Sequence, residues 1–389
     1  MRRVYLDHNA TTPLDPRVRD AMLPWMGALY GNPSSAHGFG QRAREAVERA
    51  RSQVAQLIAA RPGDLVFTAS GSEADNAVIA GVVDGARRRE AARTPVRLVV
   101  SGLEHPAVEM AARRFEAAGG EVATVAPGAD GRVAAGAMLD AVGEGAALVC
   151  LMLANNEIGT LQPVAEVASA CRERGIPVLC DAVQAVGKIS VSVDDLDVDY
   201  LVLGAHKFYG PLGAAALWIR PGASFDPFVV GGGQERRRRA GTENVAALVG
   251  FGVAAELAAR ELSERRELLA SLRDRFERGI AAIPDAVIHG RSSPRLPNTS
   301  HIAFLGVSAE ALSIRIDLDG FAVSTGAACA SGVVEPSRVL LAMGLSREEA
   351  LSSMRVSFGT GNQPAEVDAF LASLATHVTE LRALATAAS

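Results

Sequence analysis

Apolar residues along the first two-thirds of the chain follow two alternating rhythms. Short unbroken runs at 65–68, 97–101, 121–125, 147–153, 177–181, 199–203 and 214–220 read as buried strands. Between them, apolar residues recur at helical spacing. Residues 41–60 place Ala43, Ala46, Val47, Ala50, Val54, Leu57 and Ile58 on one face, and further helices are expected from about residue 73, at 106–118 and at 163–174. Strand–helix alternation from about 64 to 204 predicts a mostly parallel, doubly wound sheet. Beyond about 258 the rhythm changes to long helices (243–283, 308–318, 364–383) with scattered strands at 301–304, 321–325 and 354–359. The expectation is an α/β fold with a large domain over 16–257 and a smaller α+β domain formed from 1–15 and 258–389.

Composition narrows the class. A chain of 389 residues that is 49% hydrophobic and 21% charged is long enough for two large cores. Its net charge of −5 gives no basic field for nucleic acid. No apolar run reaches the ~18 residues of a membrane span, and no apolar stretch follows the opening Met1-Arg2-Arg3, so no secretory leader is expected. The four cysteines, Cys150, Cys171, Cys180 and Cys329, show no CxxC spacing, which argues against a disulfide framework or zinc site and for a cytoplasmic protein. The one dense basic run, 236–239, reads more readily as a solvated loop than as an anion site.

Candidate chemistry collects at strand ends. Lys207 stands in LGAHKFYGPLG just past the run 199–203. Desolvation there disfavours the ammonium form and frees the amine to condense with an aldehyde. Asp181 ends an earlier run, with Gln184 three residues on. An acid and a lysine at neighbouring strand ends are the parts that a pyridoxal phosphate site needs, the acid for the ring nitrogen and the lysine for a Schiff base. Gly71 and Ser72 stand where a strand turns into a helix, which suits either an anion site or an ordinary cap. His105 opens the next helix as a polar cap or a ligand contact. Asn155 and Asn156 are turn formers or hydrogen-bond donors. Gly241-Thr242, before the long helix, offers a second phosphate contact. Arg355, alone on an apolar strand, suits a carboxylate. Cys329 lies amid Gly, Ala and Ser, outside any periodic apolar run, whereas Cys150 and Cys180 read as core thiols. In a parallel sheet, Gly71, Ser72, His105, Asn156, Asp181 and Lys207 fall at one edge, where one crevice can gather them.

The chain resembles the cysteine desulfurases, a group of class V aminotransferases with the type I pyridoxal-phosphate-dependent transferase fold. The resemblance rests on YLDHNATTP, GNPSSAHGFG, SGSEADN, EHPAV, LANNEIGT, DAVQAVGK, GAHKFYGPLG, GGGQERRRRAGTENV, STGAACASGVVEPSRVLLAMGLS and MRVSFG, in family order from residue 4 to about 360. The cysteine segment looks like that of members with a long cysteine loop. The resemblance implies pyridoxal 5'-phosphate as cofactor and L-cysteine as substrate. It further implies that Lys207 holds the cofactor, Asp181 pairs with the ring nitrogen and Gln184 bonds the phenolic oxygen. His105 would stack on the ring and assist proton transfer, and Asn156 would contact cofactor or substrate. Gly71, Ser72 and His206 would bind the phosphate, and Thr242 would reach the phosphate of a partner subunit in a homodimer. Arg355 would hold the substrate carboxylate. Cys329, in the smaller domain, would take the sulfur as a persulfide for an acceptor protein, as in iron–sulfur assembly or thiolation. The sequence departs from the family at Gly204, where a hydroxyl residue is usual, at Ser72 in place of threonine, and at Gly359-Thr360 in place of Gly-Arg.

Overall fold

The computed structural model describes residues 3–89, 96–143, 145–325 and 335–388. In chain order the strands are β1 (Val4–Tyr5), β2 (Leu65–Thr68), β3 (Arg97–Ser101), β4 (Glu121–Val125), β5 (Leu148–Cys150), β6 (Val178–Asp181), β7 (Tyr200–Gly204), β8 (Ala215–Ile219), β9 (Ala286–Ile288), β10 (Thr299–Phe304), β11 (Phe321–Ala322) and β12 (Ser353–Ser357).

Seven strands form the central sheet in the order β2-β8-β7-β6-β5-β3-β4. β3 through β7 pair in parallel, while β8 runs antiparallel to both β7 and β2. Two reversals leave β2 parallel to the rest, so β2, β3, β5, β6 and β7 all end at the same edge. The expected mostly parallel sheet is therefore present, with one inverted strand. β8 is the return arm of a hairpin from β7, and the connection across 205–214 carries Lys207. β5 is shorter than the apolar run 147–153 suggested, although Leu151 and Leu153 still donate to Leu179 and Asp181. The strand expected at 321–325 closes after Ala322.

Helices cover both faces. β2 and β5–β8 are buried along their whole length, as a sheet sandwiched between helices requires. A second core gathers Val4 and Leu6 with Leu269, Phe276, Ile302, Phe304, Met354, Phe358 and Phe370. It lies on the three-stranded sheet β12-β10-β9 and the pair β1-β11. The helix Val245–Ile280 passes unbroken through residues 257/258, where a domain boundary was expected. Ala247, Leu248, Phe251 and Ala254 pack on the first core, and Leu269, Leu272 and Phe276 on the second.

The loop 231–244 is tied down rather than freely solvated. Buried Arg51 grips Glu235 in bidentate fashion at 2.6 and 2.8 Å, and Glu235 also accepts from the Phe67 amide on β2. Such charges are tolerated in the interior because each has its partner. The reading of 236–239 as solvated holds for Arg236 and Arg237. Arg238 and Arg239 are only part-exposed, and Arg239 donates to Glu73 at 2.8 Å, because the loop folds back over the first turn of the helix Gly71–Arg89.

Candidate active site

A cavity of about 390 Å³ opens at the C-terminal edge of the parallel strands. Its walls include Gly71, Ser72, His105, Asn156, Asp181, Gln184, His206, Lys207 and Arg355. Nine of the expected residues thus meet in one place. Thr242 does not line this cavity and is exposed on the loop before the helix Val245–Ile280, while Cys329 lies outside the described residues.

At the end of β2 the helix Gly71–Arg89 begins. Ser70 is its cap, its hydroxyl accepting from the Glu73 amide. Ser72 is therefore not the cap, and the amides of Gly71 and Ser72 belong to the helix's first turn, where they lack intrahelical partners. These donors and the positive end of the helix dipole suit an anion. A Cβ at Gly71 would come to 3.0 Å from a Val183 methyl, a tight contact that this wall would have to relieve by a few tenths of an ångström.

β3 leads to His105, which is a helix cap and also lines the cavity. Its Nδ1 accepts from the Ala107 amide at 3.1 Å, making it the cap of the helix Pro106–Ala117. That bond places the ring proton on Nε2. Burial lowers the imidazole's pKa, so the ring is neutral. After β5 the two asparagines divide their roles. Asn155 is a turn former: its carbonyl accepts from Glu157 and Ile158, and its amide donates to Leu103. Asn156 lines the cavity.

Asp181 ends β6. Burial raises its pKa, against a stabilising bond from the Val183 amide. Two more buried carboxyls stand close, Asp75 and Glu104, and burial pushes Glu104 up to about 7. An acid so desolvated gains from a cationic partner, as a protonated ring nitrogen is. Past β7, Lys207 Nζ donates to the carbonyls of Asn9 (2.5 Å) and Ala10 (2.8 Å). Burial, then the nearby Arg355 charge, push its pKa down to about 8. His206 is lowered to about 4 by burial and Lys207, so it meets an anion as a neutral donor.

Arg355 on β12 reaches the cavity from the second core. Its guanidinium donates to Asp7 (2.6 Å) and to the Asn156 carbonyl (3.0 Å), while its buried Nε has no partner among the described residues. An anion bound there would satisfy that donor. Sequence reasoning missed Asp7, Asn9, Asp75 and Lys188. The only signal for the first two was a cluster of polar residues directly after a strand.

The donor set fits pyridoxal phosphate on these observations: a helix N-terminus for a phosphate, a desolvated acid for a ring nitrogen and a depressed lysine for an aldehyde, all around one cavity.

Comparison with known proteins adds the following. The class-V aminotransferase profile matches residues 4–370. The chain is 41% identical over 390 residues to a cysteine desulfurase of Enterobacter agglomerans, spanning 99% of this chain and 94% of that one. It is 39% identical over 370 residues to cysteine desulfurase IscS of Clostridium botulinum, spanning 94% and 92%. Among solved structures, a NifS-like protein superposes with a TM-score of 0.90 at 35% identity, covering 97% of this chain and 100% of that one.

Proposed function

The chain belongs to the class-V aminotransferase family, and from that premise we infer that it is a pyridoxal-5'-phosphate-dependent cysteine desulfurase, taking sulfur from L-cysteine and leaving L-alanine. The observation that carries the assignment to this cavity is the meeting of Lys207, Asp181 and the Gly71–Ser72 helix start in one pocket. The bound cofactor supplies an electron sink that acidifies the substrate Cα proton and loosens its sulfur.

The residues then divide the work. Gly71, Ser72 and His206 hold the phosphate, and Gln184 donates to the phenolic oxygen. Asp181 keeps its counter-charge at the ring nitrogen. Arg355 grips the substrate carboxylate, with Asp7 holding the guanidinium in place. Lys207 would anchor the cofactor and move the Cα proton of the substrate, while His105 would assist through Nε2–H. The Cys329 thiolate attacks the substrate sulfur. The new S–S bond forms as the carbon–sulfur bond breaks, its electron pair staying with the carbon skeleton, which is protonated and leaves as alanine. The persulfide passes to an acceptor protein, in iron–sulfur assembly or thiolation.

The active unit is a homodimer in which Thr242 completes the partner's phosphate site. Exposed apolar side chains support this: Met26 (70%), Leu212 (71%) and Val230 (80%), with Tyr30 and Phe39 stacked at 5.1 Å. The protein works in the cytoplasm; no helix among the described residues is long and apolar enough to cross a membrane. Anaerobic turnover of L-cysteine with a dithiol reductant, which discharges the persulfide as sulfide, tests the activity: alanine and sulfide should appear in equal amounts. No release of either by cofactor-loaded protein would overturn it.

Two further results are expected. The depressed Lys207 leaves about one-tenth of the amine free at pH 7, against about one part in three thousand for an ordinary lysine. Only the free amine condenses, so the rate of cofactor incorporation into apoprotein should climb about tenfold per pH unit up to about 8 and then level. Stopped-flow absorbance across pH 6–10 checks this. Gly204 is the missing phosphate donor, yet it is extended (φ −130°), and a Cβ there would meet His206 and Val183 only at 3.7 Å. Gly204→Ser should fit without strain and tighten cofactor binding by about tenfold, the worth of one charge-assisted hydrogen bond. Equilibrium titration of the apoprotein measures it.

A further inference from the structure

A second lysine lies beneath the cavity. Lys188 is 4% exposed, and its Nζ donates to Gln184 Oε1 at 2.8 Å and to Asn9 Oδ1 at 2.9 Å. No carboxylate is among these partners. Burial, then the Lys207 and Arg355 charges, hold its pKa far below the ordinary lysine value, and two N–H bonds to two carbonyl oxygens are what a neutral amine can supply.

The arrangement settles a question that a glutamine alone leaves open. An amide can present either its oxygen or its NH₂ to a ligand, and the two faces act oppositely. Both N–H groups of the neutral Lys188 amine are donated, one to Gln184 Oε1 and one to Asn9 Oδ1. Gln184 Oε1 thus faces Lys188, which turns Nε2 the other way, toward a backbone carbonyl that can only accept. One N–H of that Nε2 is spent on the Asn9 carbonyl at 2.9 Å, the same carbonyl that accepts from Lys207. The other remains for the cavity that Gln184 lines. Asn9 is oriented by the same logic. Its Oδ1 accepts from Lys188 and Asn298, and its Nδ2 donates to Thr299 Oγ1 and the Asn156 carbonyl.

We propose that Lys188 is a positioning residue for the cofactor: it locks the Gln184 amide so that an N–H, not a carbonyl, meets the cofactor's phenolic oxygen, and it fixes the Asn9 carbonyl that receives Lys207. The inference rests on the cofactor reading given above. With Lys188 removed, Gln184 Oε1 loses its donor, and the Asn9 carbonyl alone opposes a turn of the amide that presents its carbonyl to the phenolic oxygen. Two acceptors then oppose each other, binding weakens, and the chromophore holds its proton more tightly.

The test uses apoprotein reconstituted with pyridoxal phosphate and reads affinity and the pH midpoint of the colour change, not turnover. Lys188→Met should bind cofactor about tenfold more weakly and move the colour midpoint up by about one pH unit, the scale of one lost hydrogen bond. A double-mutant cycle separates positioning from bulk stability. In a Gln184→Leu background, which removes the acceptor with the donor, Lys188→Met should cost much less than in wild type, only its bond to Asn9 being left to lose. Wild-type affinity and midpoint in Lys188→Met, whatever its melting temperature, would overturn the proposal, as would a full additive loss in the Gln184→Leu background. Failure of the wild-type protein to bind pyridoxal phosphate would overturn the cofactor reading itself, and this inference with it.

Discussion

Lys207→Ala is expected to stop turnover of L-cysteine, by about 10⁴-fold or more, while leaving a folded protein that still binds the cofactor. On the proposed mechanism the amine has two tasks, anchoring the cofactor and moving the Cα proton, and no neighbour can take over. Lys188 is committed to Gln184 and Asn9. His105 spends Nδ1 on capping a helix. Folding should not suffer, because burial and the Arg355 charge already disfavour the Lys207 ammonium. The sign follows from linkage. A lysine with a depressed folded pKa binds fewer protons folded than unfolded between about 8 and its ordinary value, so the wild-type apoprotein gains stability as pH rises through that window. Lys207→Ala should lack that gain and melt no lower than wild type at pH 7. Cofactor should remain through the helix start at Gly71, with the colour of the unlinked aldehyde, and a small primary amine should restore part of the activity. Turnover above about one per cent of wild type would show that another group moves the proton.

How far the site could be read before the structure was in hand depends on where its residues sit. Gly71, Ser72, His105, Asn156, Asp181 and Lys207 follow strands whose apolar runs are evident, and parallel pairing brings strand ends to one edge. Arg355 and Asn9 come from outside that repeat. Asn9 meets Gln184 across 175 positions and Lys207 across 198, a separation that no local pattern encodes. No local pattern marks Lys188, and only its burial and its two carbonyl partners show what it holds. The fold follows the same division. Central strands that are wholly buried have continuous apolar runs, whereas β9, with three half-exposed or exposed residues, and the helix Pro16–Met22, with Val18 its sole buried residue, carry almost no signal. The inverted β8 was invisible because an apolar run has no direction.

Cys329→Ser should abolish sulfur transfer, with sulfide and alanine release falling by about 10³-fold or more, the scale for loss of a catalytic nucleophile. The other thiols are excluded physically. Cys150 on β5 and Cys180 on β6 are fully buried, and burial drives their pKa values far above the ordinary thiol value. Cys171 is buried on the helix Val164–Glu173 and is likewise raised by burial. A thiol that stays protonated is a poor nucleophile, and none of the three lines the cavity. Cys329 lies outside the described residues, but both ends of its segment are fastened beside the site. On the near side, Ser324 bridges Arg355, whose amide donates to the Ser324 carbonyl at 2.7 Å. On the far side, the Ser337 hydroxyl donates to Glu157, next to the cavity residue Asn156. The described residues on either side of 326–334 are thus held beside Arg355 and Asn156, two residues of the cavity wall. Alkylation of the native enzyme should label one thiol, Cys329, in step with loss of activity, and leave the cofactor colour unchanged. Sulfide release at the wild-type rate by Cys329→Ser would mean that sulfur leaves L-cysteine without a protein nucleophile, because no other cysteine can reach it as a thiolate.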